Sequence, residues 1–492
     1  MANSLPYWKG FRSTDLTKIN VNTCLQHLLP FDPNHKSALY FLDYCSYSIL
    51  LRTTHRTQSV GWSEVHTTSA RQIQCLEMAV TTFSLAAEGL KLNTADDLRS
   101  NVASLVESKD ITHIDLSGNT FGVPACEALA AILSSKSSTL KSIDLHDIFT
   151  SRLLEEIPPA LSSLLSALLN CEHLHTVDLS DNAFGLNTKD PLVDFLSKHT
   201  PLQHLILNNN GMGPIAGTSI ANALTSLAAR KAEARQEGKE IPDLESIVCG
   251  RNRLENGSMG AWAKAFEAHK SGMKSVKMTQ NGIWQEGISH LLRSGLSTCK
   301  NLEILDMQDN TFTVMGAGAL SEVVHNWTKL KELGIGDDLL GATGSIRVFE
   351  ALAKGDTKSV EVLRLQYNDI NTHGVKSLLQ AAKDGMPKLR RIELNGNKFD
   401  EDDLSIQALL DLLSERKDAE GKKEDPEGFW GLDELDELEE ESSEDEEDEA
   451  AEEEDLGERI LETADEVEDE PVAQKKDPDV DELADALKKT EI

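Results

Sequence analysis

Three consecutive asparagines, Asn208, Asn209 and Asn210, interrupt the stretch HLILNNNGMG at residues 204–213. A carboxamide carries both a hydrogen-bond donor and an acceptor, so an exposed asparagine can hold a partner group in one geometry. Asn210 ends an apolar strand pattern, where its amide can bond the backbone of the following turn. Asn208 fits either a structural or an exposed role. No structural role is evident for Asn209, which is therefore the first candidate functional residue.

The second candidate, Arg152, lies on an irregular loop. The stretch LHDIFTSRLLEEIPPAL, residues 145–161, runs longer before its helix than the related stretches elsewhere in the chain. A loop that departs from its own repeat array is a better candidate site than one that conforms. The structural alternative is an ion pair between Arg152 and Glu155 or Glu156.

The sequence contains no motif for catalysis of its own. The patterns G-x-x-x-x-G-K-[ST], H-E-x-x-H and G-x-S-x-G do not occur. Seven cysteines without a CxxC pair indicate reduced thiols in an intracellular protein. Cys24 and His27 have no second pair at ligand spacing, so we expect no metal site and no cofactor bound by this chain.

These candidates belong to an internal repeat. The frame L-x-x-L-x-L-x-x-N, with apolar substitutions, recurs ten times, and seven of the nine intervals are 28 to 30 residues. We call its last residue the ladder position. The ten ladder positions are Asn119, Ile148, Asn182, Asn210, Asn252, Asn281, Asn310, Asp338, Asn368 and Asn397.

Helical patterns such as PLVDFLSKH lie between the frames, with apolar residues three and four apart. The longest interval, 42 residues, contains the polar stretch ARKAEARQEGKEIPD, which predicts a helix extension and a loop. Each unit of about 29 residues thus reads as strand, loop, helix and return. Because one unit cannot bury its apolar face alone, the sequence predicts an α/β leucine-rich-repeat solenoid curved into a horseshoe or crescent.

The residue just before each ladder position, which we call the rim position, recurs along one edge of such a solenoid. A solvated edge is the simplest interpretation of these polar residues. If the edge binds a partner, then Asp147, Asp181, Gln280 and Asp309 are expected contacts, together with Arg251 and its neighbour Arg253. The ten rim positions are Gly118, Asp147, Asp181, Asn209, Arg251, Gln280, Asp309, Asp337, Tyr367 and Gly396.

The chain divides into three predicted regions. Residues 1–80 show no repeat frame and are predicted to be a poorly ordered extension, or to precede a true start at Met78. Residues 81–415 form the repeat domain. Residues 416–492 are predicted to be mostly disordered, because between Gly431 and Glu470 there are 24 acidic residues against one basic residue, Arg459.

The net charge of −35 argues against nucleic-acid binding, because a protein surface that binds nucleic acid is basic. A protein partner with a basic surface is the better expectation. The sequence shows neither an apolar run of the roughly 20 residues that cross a membrane nor a signal peptide at its start. We therefore expect a monomer without membrane contact, located in the cytoplasm, with a perinuclear position as an alternative.

Several long stretches resemble the Ran GTPase-activating protein family, especially its fungal members. They are LHDIFTSRLLEEIPPAL, LSDNAFG, FLSKHTPLQHLILNNNGMG, CGRNRLENGSM and LRLQYND, followed by an acidic tail. The similarity runs from about Phe83 to the end of the acidic segment and leaves out residues 1–80. One departure is Ser151, where a D-I-F-T-G-R version of the loop would have glycine.

The resemblance implies a function: stimulation of GTP hydrolysis by the small GTPase Ran in its GTP form, in support of nucleocytoplasmic transport. It implies that Asn209 holds the catalytic glutamine of the GTPase and that Arg152 helps to position the partner. Arg251 and Arg253 match interface residues. GTP and Mg²⁺ would belong to the GTPase, so the chain would be an activator without its own catalytic site. The resemblance implies Ran-binding proteins as candidate further partners.

A different class of function is compatible with the same two features. Acidic nuclear proteins that act as histone chaperones or scaffolds also combine leucine-rich repeats with an acidic tail. Their arrays are shorter, and this alternative offers no explanation for an arginine on an irregular loop.

Overall fold

The computed structural model describes residues 81–421 and 428–439. The predicted extension, the Cys24 and His27 pair and the chain from residue 440 onward lie outside the described residues. No helix among those described combines the length and the apolar character needed to cross a bilayer.

Strands of two or three residues alternate with helices along the described chain. The strands are β1 (Thr82–Ser84), β2 (Lys91–Leu92), β3 (His113–Asp115), β4 (Thr120–Phe121), β5 (Ser142–Asp144), β6 (Thr176–Asp178), β7 (His204–Ile206), β8 (Ser246–Val248), β9 (Ser275–Lys277), β10 (Ile304–Asp306), β11 (Glu332–Gly334), β12 (Val362–Arg364), β13 (Arg391–Glu393) and β14 (Gly431–Leu432).

The helices differ more in length than the strands. They are α1 (Ala95–Arg99), α2 (Ala103–Glu107), α3 (Val123–Ser134), α4 (Ile157–Leu168), α5 (Lys189–Lys198), α6 (Gly213–Gln236), α7 (Glu255–Ala268), α8 (Gln285–Ser294), α9 (Thr313–Val323), α10 (Gly341–Ala353), α11 (Thr372–Asp384) and α12 (Leu404–Ala419).

Twelve of these strands form one parallel sheet in the order β1-β3-β5-β6-β7-β8-β9-β10-β11-β12-β13-β14, and β2 pairs with β4 beside it. All ten repeat frames supply a strand, and the middle residue of each three-residue strand is buried. The register is uniform, so that Leu205 pairs with Val177 on one side and Ile247 on the other. The predicted fold class, a curved leucine-rich-repeat α/β solenoid, is confirmed.

Asparagines at the ladder positions join repeats to their neighbours. The Asn182 amide nitrogen donates to the carbonyl oxygens of Leu145 at 2.9 Å, Leu179 at 3.0 Å and Ser180 at 2.9 Å. Its amide oxygen accepts from the backbone N–H of Ile148 in the preceding repeat at 2.9 Å. One side chain therefore satisfies buried backbone groups of two repeats, which would otherwise cost about 1–3 kcal/mol each.

Asn210 plays this role in its own repeat. Its amide nitrogen donates to the carbonyl oxygen of Leu179 at 3.0 Å, and its amide oxygen accepts from the backbone N–H of Asn182 at 3.0 Å. The side chain is buried. The prediction that Asn210 is structural is confirmed.

The ordered array extends past residue 415, where the sequence analysis ended the repeat domain. Helix α12 continues to Ala419, and β14 pairs with the last repeat strand, β13. The Asp433 carboxylate accepts from the backbone N–H groups of Leu394 at 2.7 Å and Asn395 at 3.1 Å. Residues 428–439 thus cover the last edge of the sheet, whose exposed backbone groups would otherwise be open to pairing with another chain.

The polar stretch in the 42-residue interval forms a helix extension and a loop, as predicted. Helix α6 continues to Gln236, and residues 237–245 lead back to β8. The Lys231 ammonium near the end of α6 donates to the carbonyl oxygens of Thr200, Leu202 and Pro242, each at 2.7 Å. These bonds fasten the extended helix to the loops before β7 and β8.

Asp338 is the ladder position with a carboxyl group in place of the amide. Its Oδ1 accepts from the Asn310 backbone N–H at 2.9 Å, but its buried Oδ2, at the place of the donating amide nitrogen, has no hydrogen-bond partner among the described residues. Burial raises the pKa of this carboxyl well above 3.8, and the neighbouring carboxylates of Asp337, Asp309 and Asp306 raise it further.

We predict that Asp338→Asn increases the free energy of unfolding at neutral pH by about 1–3 kcal/mol, because the amide restores the missing donor. Since the folded-state pKa is raised, the unfolded chain loses its proton at lower pH than the folded chain, and the wild type loses stability as the pH rises above about 4. The gain should therefore be small near pH 4 and larger at pH 7 to 8. Urea unfolding across this range checks it, and a pH-independent gain would contradict it.

Candidate functional site

All ten rim positions share one unusual backbone conformation. Their φ angles are positive, from 49° at Asp147 to 71° at Gly396, with 51° at Asn209. Glycine, asparagine and aspartate tolerate this left-handed region better than other residues. Seven of the ten rim positions are one of these three types. Asparagine at a rim position therefore has a backbone reason, which the sequence analysis did not recognise.

Arg251, Gln280 and Tyr367 are the rim residues of other types, with φ angles of 56°, 52° and 53°. A left-handed conformation costs such residues about 1–2 kcal/mol each. Backbone strain that persists at defined positions is a reason to look for function there. Arg251 and Gln280 occupy the two rim positions that follow Asn209.

Asn209 is exposed, and its side chain has one partner among the described residues. The amide nitrogen donates to the Asp181 Oδ1 at 2.7 Å, across to the rim position of the preceding repeat. The Asn209 backbone N–H donates to the Gly250 carbonyl oxygen at 2.9 Å. The amide oxygen accepts no hydrogen bond from any residue described and remains available to a partner.

Asn208 is structural. Its amide oxygen accepts from the Gly250 backbone N–H at 2.7 Å, and its carbonyl oxygen accepts from the Asp181 backbone N–H at 2.9 Å. The three asparagines thus differ in the hydrogen bonds that their side chains make. Asn208 and Asn210 join repeats through their amide oxygens, and Asn209 is the exposed one, with an amide oxygen that accepts no hydrogen bond from the described residues.

Arg152 points back toward the first repeats. Its Nε donates to the Thr120 hydroxyl at 2.8 Å, its Nη2 donates to the Thr120 carbonyl oxygen at 3.0 Å, and its Nη1 donates to the Asn93 amide oxygen at 2.7 Å. None of the ion pairs among the described residues includes it. The alternative of an ion pair with Glu155 or Glu156 is wrong, since Glu156 instead accepts from the Leu153 backbone N–H at 3.0 Å.

The structure does not bring Arg152 and Asn209 together through any described hydrogen bond. Arg152 fastens the irregular loop to Thr120 in strand β4 and to Asn93, which follows strand β2. Ser151 beside it has a φ of 67°, which explains why a glycine suits this position. The side chain is half-buried, so its first role in the free protein is to hold the loop.

The other predicted rim contacts lie along the same edge. Arg251, Gln280 and Asp309 are exposed, as is Arg253, whose φ is 55°. Neither guanidinium has a hydrogen-bond or ion-pair partner in the part of the chain that the structure describes. Burial and the Asp337 carboxylate raise the pKa of Asp309, and Arg251 opposes that rise, so these charges act on one another along the edge.

Asp147 and Asp181, the two remaining predicted contacts, precede Asn209 along the edge. The Thr150 hydroxyl donates to the Asp147 carboxylate, which ties this rim position to the irregular loop. The Asp181 carboxylate accepts from Asn209. Both aspartates therefore already have side-chain partners.

Exposed apolar side chains accompany these polar groups, and the sequence analysis missed them. They lie in the loops and first helical turns that follow the ladder positions, with Trp284 62% exposed and Ile215 65% exposed. Aromatic and large apolar side chains are enriched at protein interfaces. With the rim positions they form what we call the rim edge. Its other exposed apolar members are Leu153, Leu154, Leu186 and Leu339.

A group of ionisable residues lies on the strands near this edge. Ligand atoms of Asp144, His146 and Asp178 are within 4.8 Å of one another. Asp144 accepts from both the backbone N–H and the Nδ1 of His146 at 2.9 Å, and Asp178 accepts from the Ser180 backbone N–H at 2.9 Å. These are local turn bonds between a strand end and the residue two positions later, so the group has a structural explanation.

The described fold and the ladder define the class of protein, a leucine-rich-repeat protein. A family model described as Leucine Rich repeat matches residues 107–130 and 298–321. Among solved structures, the leucine-rich repeat-containing protein LegL7 from Legionella pneumophila is 15% identical with a TM-score of 0.38, and the match covers 70% of this chain and 99% of that one.

Comparison with curated proteins is more specific. Ran GTPase-activating protein 1 of Saccharomyces cerevisiae is 42% identical over 342 residues, which cover 68% of this chain and 82% of the yeast protein. Ran GTPase-activating protein 1 of Xenopus laevis is 40% identical over 203 residues, 41% of this chain and 34% of the frog protein. The chain belongs to the Ran GTPase-activating protein family.

The geometry of Arg152 leads to a prediction about stability. Arg152→Gln removes a charged donor from three hydrogen bonds and should lower the free energy of unfolding by about 1–3 kcal/mol. It should also speed proteolysis at Leu153 and Leu154, which are already exposed.

Chemical denaturation and limited proteolysis measure both effects. Arg230→Gln, at an exposed position of α6, is the matched control and should leave both unchanged. Unaltered stability in Arg152→Gln would contradict the anchoring role and leave a direct contact with the partner as its function.

Proposed function

We propose that this chain stimulates GTP hydrolysis by Ran, the GTPase after which its relatives are named, by docking the rim edge against the GTP form. The observation that supports this most directly is the exposed Asn209 amide, whose oxygen accepts no hydrogen bond from the described residues and whose backbone is fixed by the array. GTP and Mg²⁺ enter with the partner, and the chain contributes no cofactor.

The chemistry of GTP hydrolysis sets what an activator can supply. A water must be held in line with the γ-phosphate, commonly by a glutamine of the GTPase, and the charge that spreads over the phosphate oxygens must be stabilised. Fixing a glutamine and a water in a reactive geometry removes orientational freedom, which is worth several kcal/mol of barrier. A single well-placed amide can contribute to this.

An inserted arginine finger is not the mechanism we propose. The Arg152 guanidinium donates to Thr120 and Asn93 through three of its nitrogens, and releasing it would break those bonds. We assign Arg152 to holding the irregular loop in the shape that meets the partner. The activator then acts through Asn209, and the catalytic glutamine belongs to the GTPase.

The rest of the rim edge provides the contact surface. Arg251 and Arg253 offer guanidinium groups that are unpaired among the described residues and that suit carboxylates of the partner. The exposed side chains of Trp284 and Ile215 can supply the apolar centre that stable interfaces need. The acidic segment after Glu439 would attract a basic partner surface and raise the rate of encounter in a salt-dependent way.

The proposed oligomeric state, location and further contacts are those expected from the sequence. The activator is a monomer that works in the cytoplasm, where hydrolysis on Ran supports nucleocytoplasmic transport. Asp147, Gln280 and Asp309 lie on the same edge as Asn209 and are the polar contacts we propose beside it.

Asn209→Gly is the sharpest test, because glycine keeps the left-handed backbone and removes only the amide. We predict that the maximal rate of single-turnover GTP hydrolysis on Ran at saturating activator falls by more than about tenfold, within the range of an orientation effect. Phosphate release measures it. The control Asp369→Gly removes another left-handed aspartate, with a φ of 57°, that is not part of the rim edge, and it should keep the wild-type rate. An unaltered rate in Asn209→Gly would remove this amide from the mechanism.

Charge removal at the arginines should affect binding. In Arg251→Gln and Arg253→Gln the activator concentration at half-maximal rate should rise by about fivefold each, as for one charged hydrogen bond at an interface, with the maximal rate kept. The increase should shrink at high salt, because the wild-type attraction is screened there.

Titrations of hydrolysis rate at two ionic strengths check this prediction. The control Arg347→Gln, exposed on α10, should titrate as the wild type does. Loss of maximal rate without a change in half-saturation would contradict a binding role for these arginines.

A further inference from the structure

The hydrogen bond between Asn209 and Asp181 has no counterpart elsewhere on the edge. It joins the rim positions of adjacent repeats, with 2.7 Å between the Asn209 Nδ2 and the Asp181 Oδ1. No other two neighbouring rim positions in residues 118–396 are linked by a described side-chain hydrogen bond. The feature is therefore specific to this pair and is not a property of the repeat.

The chemistry of the pair fixes the direction of the amide. A carboxylate oxygen only accepts hydrogen bonds, so it can bind the NH₂ end of the Asn209 amide and not the carbonyl end. The two ends of an amide are otherwise interchangeable by a half-turn of the side chain. With the NH₂ end on Asp181, the carbonyl oxygen of Asn209 is the end left for a partner.

The backbone prevents the pair from drifting apart. The Asp181 N–H donates to the Asn208 carbonyl oxygen at 2.9 Å, and the Asn209 N–H donates to the Gly250 carbonyl oxygen at 2.9 Å. Both residues hold the same left-handed conformation, with φ angles of 60° and 51°. Each side chain therefore starts from a fixed backbone site, and the hydrogen bond between them fixes the remaining rotation.

We infer that Asp181 is a positioning residue for GTPase activation, and that it turns the Asn209 carbonyl oxygen toward the partner to accept a hydrogen bond. This inference rests on the proposed function. The group that Asn209 recognises is then a donor, and the NH₂ end of a glutamine amide fits. A glutamine held by that end keeps its own carbonyl oxygen available to accept from the attacking water.

The reverse orientation would fail for a simple reason. An Asn209 turned by half a rotation would present NH₂ to NH₂, two donors without an acceptor, and the glutamine would be pushed out of alignment. Removing Asp181 makes both orientations accessible. The cost appears in the rate at full occupancy rather than in binding.

The test uses the full-length chain with Ran bound to GTP. Asp181→Gly removes the carboxylate and keeps the left-handed backbone, and Asp181→Asn keeps an oxygen that accepts from the Asn209 NH₂. We expect Asp181→Gly to lower the maximal single-turnover rate by about fivefold to tenfold, the effect of one misdirected hydrogen bond, with half-saturation changed less than twofold. Asp181→Asn should keep most of the rate, and the control Asp369→Gly should resemble the wild type.

A double variant separates positioning from direct contact. If Asp181 acts through Asn209, then Asp181→Gly should cause no further loss of rate in an Asn209→Gly background. Multiplying losses in the double variant, or a change in half-saturation alone, would overturn the inference. A loss in Asn209→Gly but none in Asp181→Gly would overturn it while leaving the proposed function intact, whereas no loss in Asn209→Gly would refute the proposed site itself.

Discussion

The hydrogen bonds of the ladder side chains determine the rest of this architecture. A three-residue strand followed by a turn leaves buried backbone groups that a single repeat cannot satisfy. The ladder amide satisfies them by donating both within its own repeat and to the repeat before, as Asn210 does to Leu207 at 3.2 Å and Leu179 at 3.0 Å. Its oxygen accepts from the repeat before, from the Asn182 backbone N–H at 3.0 Å. Each repeat therefore completes its neighbour, which is why such an array is stable only as a stack.

The same turn explains the geometry of the candidate site. With the ladder side chain pointing inward, the residue before it takes a left-handed conformation in every one of the ten repeats. Its side chain then points outward, while its backbone N–H donates to the next repeat. At Tyr367 the strain of this conformation has a local explanation, because the Tyr367 hydroxyl donates to Glu437 in residues 428–439. Arg251 and Gln280 have no side-chain partner among the described residues. They occupy the rim positions of the two repeats that follow Asn209.

The sequence predicted the array well because its signals are local and repeated. Apolar periodicity placed every repeat strand, and the frame separated Asn210 from its neighbours. Contacts between distant residues had no such signal: Arg152 meets Asn93 across 59 residues, and Asn209 meets Asp181 across 28. The frequency of glycine, asparagine and aspartate at the rim positions could have revealed the left-handed backbone. The acidic composition concealed the role of residues 428–439, in which Leu432, Leu435 and Leu438 pack against the core.

A rigid repeat array suits an activator that supplies geometry to another protein's reaction. An interface gains little when its side chains must first be ordered, because each immobilised side chain costs free energy on binding. Along the rim edge the backbone is already fixed by bonds between repeats, and Asn209 is already turned by Asp181, so binding need not provide that order. The orientation of the amide is then a property of the free protein, established during folding and available to the partner at the moment of contact.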